Sequence, residues 1–593
     1  MDNENNRNMI IFMVCAAVIL IIYQVEWIAP QAKQRMLAER AAAAQAAAHA
    51  PAQAQAAAQG FGTRVPSAAA PHVAIDTPSL TGAIDLQGAR LDDLKLKHYR
   101  VSPDPHSALV QLLRPAGSEH AWFMQTGWLP SNEDALPDTD LITWTAQPGA
   151  VLTPTTPLVL TYSSAQGLNA QRTIQVDDNA LFTITDVITN ATGQPLPLRN
   201  YGLVEQQGLP ADPAKSGIVH EGAIGELHGS LKLAKYADWK KKGASDEAST
   251  GGWLGVTQKY WLTALIPDQA LRFNASFPIE TQNGVDIYKS GFVGPVETIA
   301  PGASLTRTTH MFAGAKTVPV LRAYSAKLGA PKLDWSVDWG NLWFFTIPLF
   351  AVLEFLKGFI GNMGLSILAL TVVVKLAFFP LANKSFESMS KMKKLSPQLD
   401  VIKKQHEGDA AKIQQETMAL YQREKINPFM GCIPMLIQLP VFFSLLKVLT
   451  VTIEMRQAPF FGWIHDLAAP DPTTIFNLFG LLPYDPAHLP LIGWIFATTL
   501  HLGVWPMLYG LTMWLSQAMS PPAGVDPTQK LMFQFMPLIF TFVMAGYTVG
   551  LLIYWTWSNL LSILQQYLIM HRLKVENPID NFVGRFAKPE PAG

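Results

Sequence analysis

The pattern of apolar and polar residues divides the chain into two parts of different character. Up to about residue 339, apolar and polar residues alternate over short segments, whereas residues 339–570 contain several long uncharged runs. An apolar helix of about 20 residues is long enough to cross the hydrocarbon core of a bilayer. The pattern therefore predicts a membrane protein with a large domain outside the membrane.

The N-terminal region contains a first apolar run followed by an alanine-rich segment. Residues 9–25 are uncharged, and no small-x-small cleavage site follows within a few positions. We therefore expect an uncleaved transmembrane anchor over 1–28, with a cleaved signal peptide as the alternative because Ala-x-Ala sequences occur from Ala41 onwards. Of residues 41–58, 13 are Ala. This composition predicts a tether over residues 29–74.

Residues 75–330 have the pattern of an all-β domain. The segments 172–176 and 180–188 alternate apolar and polar positions around Asp177, Asp178 and Asn179, which is typical of a β-hairpin. Similar segments recur over about 240 residues. We expect one β-sandwich that is large enough to bury a core without disulfides.

Five more apolar runs predict further transmembrane helices at 361–382, 427–451, 498–519, 531–545 and 547–570. The loop 384–425 has nine Lys or Arg against six Asp or Glu, whereas the loop 452–490 has Arg456 as its single basic residue. The positive-inside rule places the first loop in the cytoplasm. Both termini, including the tail 572–593, are then cytoplasmic and the β-domain lies outside, although Lys33, Arg35 and Arg40 favour the reverse orientation of the first span.

Residues 338–359 fit neither a strand nor a clean span, because Pro348 interrupts them and Glu354 and Lys357 lie near their end. Their Trp, Phe and Leu content predicts an amphipathic helix in the membrane interface. A buried core helix of the β-domain is the alternative.

The loop 384–425 has the signals of a helical hairpin. Ser396 and Asp409 are predicted N-caps, Pro397 is the first residue of its helix, and Gly408 ends that helix, which gives helices at 397–406 and 410–425. The basic face is expected to contact anionic lipid headgroups, ribosomal RNA or a protein partner, or to be simply solvated. Its residues are Lys391, Lys393, Lys394, Lys403 and Lys404.

No enzyme constellation is found, so we expect no catalytic residue, no cofactor and no metal site. The sequence lacks G-x-S-x-G, H-E-x-x-H, P-loop and G-x-G-x-x-G motifs. His220 and Glu221 are adjacent, but such a pair is usually solvated. Cys15 and Cys432 lie in apolar runs, where neither a disulfide nor a metal site is expected. The formal charge of −1 argues against DNA binding driven by bulk positive charge.

Lys375 is the most informative residue, because it lies deep within the predicted span 361–382. It is about 13 Å along a helix from Lys384 and about 15 Å from Leu365, too far for easy snorkelling. A charge at this depth costs about 2.5–3.5 kcal/mol on insertion scales, which favours a water-filled cavity or a partner. No carboxylate occurs in the later spans. A structural role is the alternative, whereas Lys447 lies near a helix end and is expected to reach the interface.

Other polar residues in the spans are predicted to line the same cavity, with interhelical hydrogen bonding as the alternative for each. Thr371 shares a helix face with Lys375. The remaining candidates are Gln438, Ser444, Thr512, Ser516, Gln534, Tyr554, Trp555, Thr556, Ser558 and Asn559. The fifth predicted span carries an apolar, deformable surface that suits varied apolar partners or plain lipid exposure. It consists of Met532, Phe533, Phe535, Met536, Phe540, Phe542 and Met544.

Taken together, these residues resemble the YidC membrane-protein insertases over nearly the whole chain. The resemblance is carried by Gly361-Asn362 with Lys375 and Pro380, by YQREKINPFMGCIPMLIQLP at 421–440, by RQAPF at 456–460 with WIHDL at 463–467, by MSP at 519–521, and by Tyr554 with SNL at 558–560. In the β-domain it is carried by GGW at 251–253, YW at 260–261 and IP at 266–267.

The resemblance implies an α-helical membrane protein of the Gram-negative inner membrane, with six transmembrane helices, a five-helix insertase core over 361–382 and 427–571, and an all-β periplasmic super-sandwich. A hydrophilic groove receives the polar segment of an incoming protein. Its apolar helix leaves along the third and fifth spans, where Phe442 and Phe443 join the apolar surface. Many members have Arg where this chain has Lys375, so the charge is kept and a bidentate fork is lost.

The partners that the resemblance implies are nascent membrane proteins and the Sec translocon (SecYEG and SecDF), together with the ribosome and the signal recognition particle receptor. The short tail after His571 argues against a dedicated ribosome-binding tail. Two other functions stay open from the residues alone. One is a small-solute transporter or channel, and the other is a membrane-tethered carbohydrate-binding or mutarotase-like protein.

Overall fold

A computed structural model of the protein describes residues 71–131, 143–164, 167–213, 219–242, 246–426, 433–482, 484, 501–519 and 527–586. The predicted anchor, most of the tether, Cys15 and Cys432 lie outside the described residues. Contacts divide the chain into two compact units, one up to Ser336 and one from Val337 onwards.

The first unit is a β-sandwich, which confirms the predicted fold of this region. Within the described residues its strands form a sheet of twelve and a sheet of nine. The strands are β1 (His72–Asp76), β2 (Leu80–Asp85), β3 (Arg90–Arg100), β4 (Leu109–Leu113), β5 (Trp122–Pro130), β6 (Thr145–Ala146), β7 (Val151–Leu152), β8 (Leu158–Ser163), β9 (Leu168–Val176), β10 (Leu181–Asn190), β11 (Leu196–Gln207), β12 (Gly222–Leu227), β13 (Ser230–Lys235), β14 (Asp246–Thr250), β15 (Trp253–Thr257), β16 (Trp261–Ile266), β17 (Arg272–Ser276), β18 (Ile279–Gln282), β19 (Val285–Val293), β20 (Glu297–Ile299) and β21 (Ser304–Ala315).

The larger sheet has the order β14-β17-β19-β11-β5-β3-β2-β1-β7, with β4, β18 and β20 attached at its sides, and the smaller sheet has the order β13-β12-β15-β16-β21-β10-β9-β8-β6. The predicted hairpin is confirmed, because β9 and β10 pair antiparallel with Val176 opposite Phe182. Asp177 accepts hydrogen bonds from the backbone of Asn179 and Leu181, which fixes the turn. The sheet begins at His72, a few residues before the expected start at 75.

A buried ion pair within the smaller sheet is hydrogen-bonded to the larger sheet. Arg172 of β9 donates to both carboxylate oxygens of Asp186 on β10, at 2.7 Å each. Its third nitrogen donates to the carbonyl oxygen of Thr126 on β5, and the Trp128 indole donates to the same carboxylate. The guanidinium also lies 4.9 Å from the ring centroid of Trp144. Because the bidentate charge pair is hydrogen-bonded on every side, it meets the condition under which a buried pair is tolerated.

A second buried charge cluster lies within the larger sheet. Arg90 donates to Asp85 at 2.6 Å and to Asp92 at 3.1 Å, and all three side chains are buried. One guanidinium therefore serves two carboxylates, and Asp92 Oδ1 has no hydrogen-bond partner among the described residues. Burial outweighs the attraction of Arg90 and raises the pKa of Asp92 to about 6.

Two short helices complete the first unit, α1 (Tyr236–Lys242) and α2 (Val318–Leu328). His220 and Glu221, expected to be solvated, are instead buried. His220 Nε2 bonds the carbonyl of Ala223 at 2.9 Å, and Glu221 accepts from the backbone of Lys259 at 2.9 Å. The expectation of a solvated pair is wrong because both side chains satisfy backbone groups inside the sandwich.

The second unit is helical. Its described helices are α3 (Trp343–Ile360), α4 (Met363–Lys394), α5 (Ser396–Gln405), α6 (Ala410–Arg423), α7 (Ile433–Val451), α8 (Val504–Met519), α9 (Pro527–Met544), α10 (Val549–Arg572) and α11 (Pro578–Phe586). By length and composition, α3 and α4 can each cross a membrane, whereas the apolar parts of α7 and α9, 438–451 and 534–544, are shorter.

The helix that carries Lys375 is longer than the expected span. Asn362 caps α4 by accepting from the backbone of Leu365, and the helix then runs past residue 382 to Lys394. The membrane span over 361–382 stays a prediction, because a rise in polarity marks where a helix leaves an apolar environment and not where its backbone hydrogen bonds end. Pro380 lies inside the helix and removes one of those bonds.

The helical hairpin forms, with α5 and α6 packed through Leu395, Leu399, Leu420 and Tyr421. Asp409 caps α6 by accepting from Lys412 N at 3.0 Å, which confirms that N-cap. Ser396 is not a cap. Leu395 occupies the N-cap position in a helical conformation without a side-chain bond, because α5 follows α4 almost without a break.

The helix α3 belongs to the second unit and packs against α4 and α7. Its position in an interface stays a prediction, while its contacts argue against the alternative of a core helix in the β-domain. The helix α11 was not predicted. It is held by Asp580, which accepts from Tyr567, His571 and Asn577.

Candidate functional site

A cavity of about 330 Å³ lies between the helices α4, α7, α8 and α10. It is lined by Val374, Lys375, Phe378, Leu381, Ala382, Phe386, Gln438, Val441, Phe442, Tyr509, Ser516, Trp555, Ser558, Asn559, Ser562, Gln565 and Gln566. Among these described residues Lys375 is the one ionisable group apart from the Tyr509 phenol. The cavity therefore combines polar and apolar walls with a single positive charge.

Lys375 lies on the α4 wall of this cavity, half-buried. Its ammonium donates to Ser562 Oγ on α10 at 2.7 Å. An ammonium has three donors and Ser562 is neutral, so this bond leaves the charge itself unbalanced. The cavity lining contains no Asp or Glu among the described residues. Water or a polar ligand in the cavity is the natural complement of the remaining donors.

One face of α10 supplies most of the polar lining. Trp555, Ser558, Asn559 and Ser562 follow the spacing of a single helix face, and Gln565 and Gln566 continue it by another turn. Gln565 Nε2 is buried without a hydrogen-bond partner among the described residues. An orphaned donor in a polar cavity of this size indicates a site for water.

Aromatic side chains of α7 and α8 pack against the Trp555 indole of α10 at the cavity wall. Phe442 of α7 stacks on Trp555 with 4.7 Å between ring centroids and an angle of 8° between the planes. Tyr509 of α8 lies 5.5 Å from the same indole. Phe442, predicted as part of the apolar surface for clients, therefore faces the cavity, and Phe443 beside it is half exposed.

Four of the predicted groove residues line the cavity: Lys375, Gln438, Trp555 and Ser558. Ser516 and Asn559, weighed as further candidates, line it as well. Sequence reasoning missed Ser562, Gln565 and Gln566, although the helical spacing from Ser558 was a signal that pointed to them.

The other four predicted groove residues do not line the cavity. Thr371 is buried because its hydroxyl donates to the carbonyl of Ile367 one turn earlier, at 2.7 Å. Thr512 donates to the carbonyl of Tyr509 and accepts from Asn559 at 3.3 Å. Tyr554 lies behind the wall, where its hydroxyl accepts from Gln438 at 3.2 Å. Gln534 is exposed on α9, which contributes no lining residue.

The apolar surface of α9 is open. The helix packs on α8 at Gly510, where a Cβ would lie 1.9 Å from Thr541 Oγ1, so only glycine permits this approach. Phe535 and Phe540 are exposed and Met536 is half-buried. The side chain of Met532 lies outside the described residues.

Lys447, expected to reach the interface freely, is instead paired. Its ammonium lies 2.5 Å from Asp338 Oδ2. Lys447 and Lys375 thus differ, since Lys447 has a carboxylate partner and Lys375 has a hydroxyl.

Comparison with known proteins gives a consistent result over the whole chain. Residues 72–352 match the family model of the YidC periplasmic domain, and residues 355–577 match that of the 60Kd inner membrane protein. The chain is 50% identical over 612 residues to the membrane protein insertase YidC of Caulobacter vibrioides strain NA1000 / CB15N, with 99% of this chain and 98% of that protein covered. It is 49% identical to that of Caulobacter sp. strain K31, with 99% of both covered.

A solved structure described as active YidC insertase with the first transmembrane domain resolved is 15% identical, with a TM-score of 0.33, and covers 88% of this chain and 99% of its own. The fold, the polar cavity and the family matches define a helical inner-membrane protein with a β-sandwich domain. The chain belongs to the YidC family of membrane protein insertases.

Proposed function

We propose that this chain inserts integral inner-membrane proteins and helps them fold, by receiving the polar segment of a client in the cavity around Lys375. The observation that carries the proposal is a cation in a polar cavity with a neutral hydroxyl as its partner and no carboxylate among the described lining residues. Charged residues are costly at the centre of a bilayer. A polar cavity with one positive charge lowers that cost for short acidic or polar segments.

The proposed topology has six transmembrane helices: residues 9–25, α4, α7, α8, α9 and α10, of which the last five form the core. The helix α3 lies in the outer interface, the hairpin α5–α6 and both termini are cytoplasmic, and the β-domain is periplasmic. The basic excess of the loop 384–425 supports this orientation.

The proposed route for the apolar helix of a client runs along the exposed surface of α7 and α9. Phe443, Phe535 and Phe540 supply large exposed apolar side chains there, and Met536 and Met532 belong to the same proposal. Such a surface accepts clients of varied shape because it makes no directional bonds.

The proposed partners are nascent membrane proteins, the Sec translocon, the ribosome, the signal recognition particle receptor and anionic lipids. Two hairpin-side lysines already have partners within the chain, since Lys391 pairs with Glu387 at 2.8 Å and Lys393 donates to the carbonyl of Glu576. We therefore assign contact with anionic groups to the exposed Lys394 and Lys404 first, and to Lys403 second.

The test is insertion of a small client with a short acidic translocated tail into liposomes that contain only this protein. The expected result is protection of the tail from external protease at a level that rises with the amount of reconstituted protein. Protection no higher than in protein-free liposomes would overturn the proposal. Flux of small solutes through the same liposomes, without insertion, would favour a channel.

The β-domain is proposed to be accessory, because it forms its own core. A variant that lacks most of residues 75–320 is expected to keep insertion within tenfold of the full chain in the same liposomes. Complete loss of function would favour the carbohydrate-binding alternative, in which the β-domain carries the activity.

A further inference from the structure

The loop between α7 and α8 carries an exposed apolar surface. Large parts of Leu478, Phe479, Leu481, Leu482 and Tyr484 are exposed, with Leu481 at 82%. We call these five residues the outer-loop patch. Residues 472–484 contain no Asp, Glu, Lys, Arg or His. Contiguous exposed apolar surface of this kind marks a contact with another protein or with a membrane.

The described residues that precede the patch are firmly held. Asp471 is fully buried and accepts from the Trp463 indole, from the hydroxyl and backbone of Thr473, and from the backbone of Trp505 at the start of α8. The backbone of Val549, where α10 begins, donates to the carbonyl of Ala469. The patch therefore projects from a fixed base, and its exposure is not that of a loose segment.

The backbone of the patch adopts a strained conformation. Leu478 has φ 52° and ψ 47°, and Phe479 has φ 58° and ψ 32°, both in the left-handed region that disfavours a side chain. Neither residue is Gly or Asn, which adopt this region most easily. Two consecutive strained residues that present apolar side chains outward indicate a function for the exposed side chains.

Several polar groups of the patch are hydrogen-bonded within the loop. Phe479 N donates to the Thr474 carbonyl at 2.8 Å, and Leu482 N donates to the Asn477 carbonyl at 3.0 Å. The Tyr484 hydroxyl donates to the carbonyl of Phe476. Irregular backbone that faces lipid does not occur within the hydrocarbon core, so a loop of this kind can meet the membrane only at its interface.

The position of the loop fits a membrane boundary. The hairpin α5–α6 precedes one end of α7, and the loop follows Val451 at the other end, before α8 begins at Val504. Both helices are apolar, so the loop continues the surface that the spans present to lipid. Residues 472–484 are uncharged and include Phe and Tyr rings, a composition that is typical of contact with the membrane interface.

We propose that the outer-loop patch inserts into the periplasmic leaflet of the bilayer and anchors the outer ends of α7, α8 and α10 at a fixed depth. The occupant is the lipid interface, a few ångströms below the headgroups, where Tyr and Phe rings are favoured. This inference rests on the membrane location of the chain and does not depend on how clients pass through it.

The experiment measures the depth of a spin label in vesicles of phosphatidylethanolamine and phosphatidylglycerol. The label is attached at Leu481→Cys in the full chain, with Cys15 and Cys432 replaced by Ala. Its collisions with oxygen, which is concentrated in lipid, are compared with those of a water-soluble nickel chelate. Gln282→Cys on the β-domain serves as the aqueous reference, and Leu564→Cys on the exposed face of α10 serves as the lipid reference.

The expected result is an oxygen-to-nickel collision ratio at 481 at least threefold above that at 282 and close to that at 564. A ratio equal to that at 282 would place the patch in water and overturn the proposal. Low accessibility to both reagents would mean that protein covers the patch, which also overturns it. No client is present, so the result is independent of insertion activity.

A second variant separates anchoring from folding. Leu478→Gly with Phe479→Gly removes the apolar side chains and relieves the strain, because glycine adopts positive φ freely. The expected result is nickel accessibility at 481 raised at least threefold, with a melting temperature in detergent that is unchanged or higher. An unchanged collision ratio at 481 would show that these two residues do not hold the loop in lipid.

Discussion

The β-domain contains a fully buried cation, Arg172, and the helical core contains a half-buried one, Lys375, and their surroundings are opposite in kind. Arg172 has a bidentate carboxylate, a backbone carbonyl and an indole face around it. Lys375 has one neutral hydroxyl and a cavity. The first arrangement leaves nothing for a ligand to bind, whereas the second leaves charge and donors open to one.

The difference teaches that burial of a charge does not by itself indicate a binding site. A buried charge whose hydrogen bonds are complete stabilises one conformation. Removal of either partner leaves the other charge buried without a counter-ion. A buried charge that lacks a counter-ion and faces a cavity attracts mobile polar groups. The two sites therefore predict opposite consequences of mutation, for folding in one case and for insertion in the other.

The largest expected effect is on folding of the β-domain. Arg172→Ala leaves Asp186 buried without its cation, so we expect the free energy of unfolding to fall by about 3–5 kcal/mol. Urea unfolding of the full chain, followed by protease sensitivity of the β-domain, measures this. Insertion by the surviving folded fraction is expected to stay within threefold of wild type, and a loss of less than 1 kcal/mol would contradict the structural role.

The next effect is a pH dependence that arises from Asp92. The folded-state pKa of about 6 is above the usual 3.8, so the folded state binds more protons between these values and its stability falls as pH rises through them. The loss is at most about 3 kcal/mol, complete above pH of about 6 and absent below about 4. Asp92→Asn cannot ionise, so its melting temperature is expected to fall less than that of wild type between pH 4.5 and 7.

Parallel pH dependences of melting temperature for wild type and Asp92→Asn would show that burial does not raise this pKa. Asp93→Asn is the matched control, because this neighbouring carboxylate is only half-buried and accepts a hydrogen bond from Gln111.

Lys375 is expected to have a smaller effect, confined to insertion. Lys375→Ala should reduce insertion of clients with acidic tails about fivefold to tenfold, or about 1 kcal/mol, because the charge faces a water-filled cavity. Lys375→Arg keeps the charge and should be tolerated, whereas Lys375→Glu should be worse than Ala. The measurement compares clients that differ only in tail charge.

Equal activity of the Ala, Arg and Glu variants at 375 on acidic tails would remove the electrostatic part of the mechanism. Lys447→Ala is a matched control from the same membrane core. Its ammonium pairs with Asp338, so its loss is expected to change stability without distinguishing acidic from neutral tails.

The smallest effect is expected for Ser562→Ala. Water in the cavity replaces the lost hydroxyl as partner of Lys375, so insertion should change by no more than about twofold. A loss as large as that of Lys375→Ala would mean that the position of the ammonium, and not its charge, is what matters.

The sequence predicted the β-sandwich, the helical core and the importance of Lys375, because each depends on a long or strong signal. Period-two alternation located the hairpin of β9 and β10, and a lysine deep in an apolar run is costly wherever the neighbouring helices lie. Four of the eight predicted groove residues line the cavity, because they lie on the helix faces that form its walls.

The remaining residues depend on contacts that a single sequence does not contain. Thr371 was expected in the groove because of its spacing from Lys375. Its hydroxyl instead donates to the backbone carbonyl of Ile367 and does not face the cavity. The Arg172–Asp186 pair joins two neighbouring strands of the smaller sheet and was not predicted, because its side chains occupy ordinary strand positions. Ser396 was mistaken for a cap because the geometry of the preceding turn, not the residue type, decides the N-cap.

The unbroken helix α4 has a mechanical consequence. At about 1.5 Å per residue it is about 48 Å long, and Lys375 and Lys391 are about 24 Å apart along it. If α4 were rigid and tilted by about 10° about its hairpin end, the Lys375 ammonium would move by about 4 Å, which is more than the length of its hydrogen bond to Ser562. Pro380 removes a backbone hydrogen bond between these two points, so a bend there would absorb part of any tilt at the α5–α6 hairpin before it reached the Lys375 ammonium.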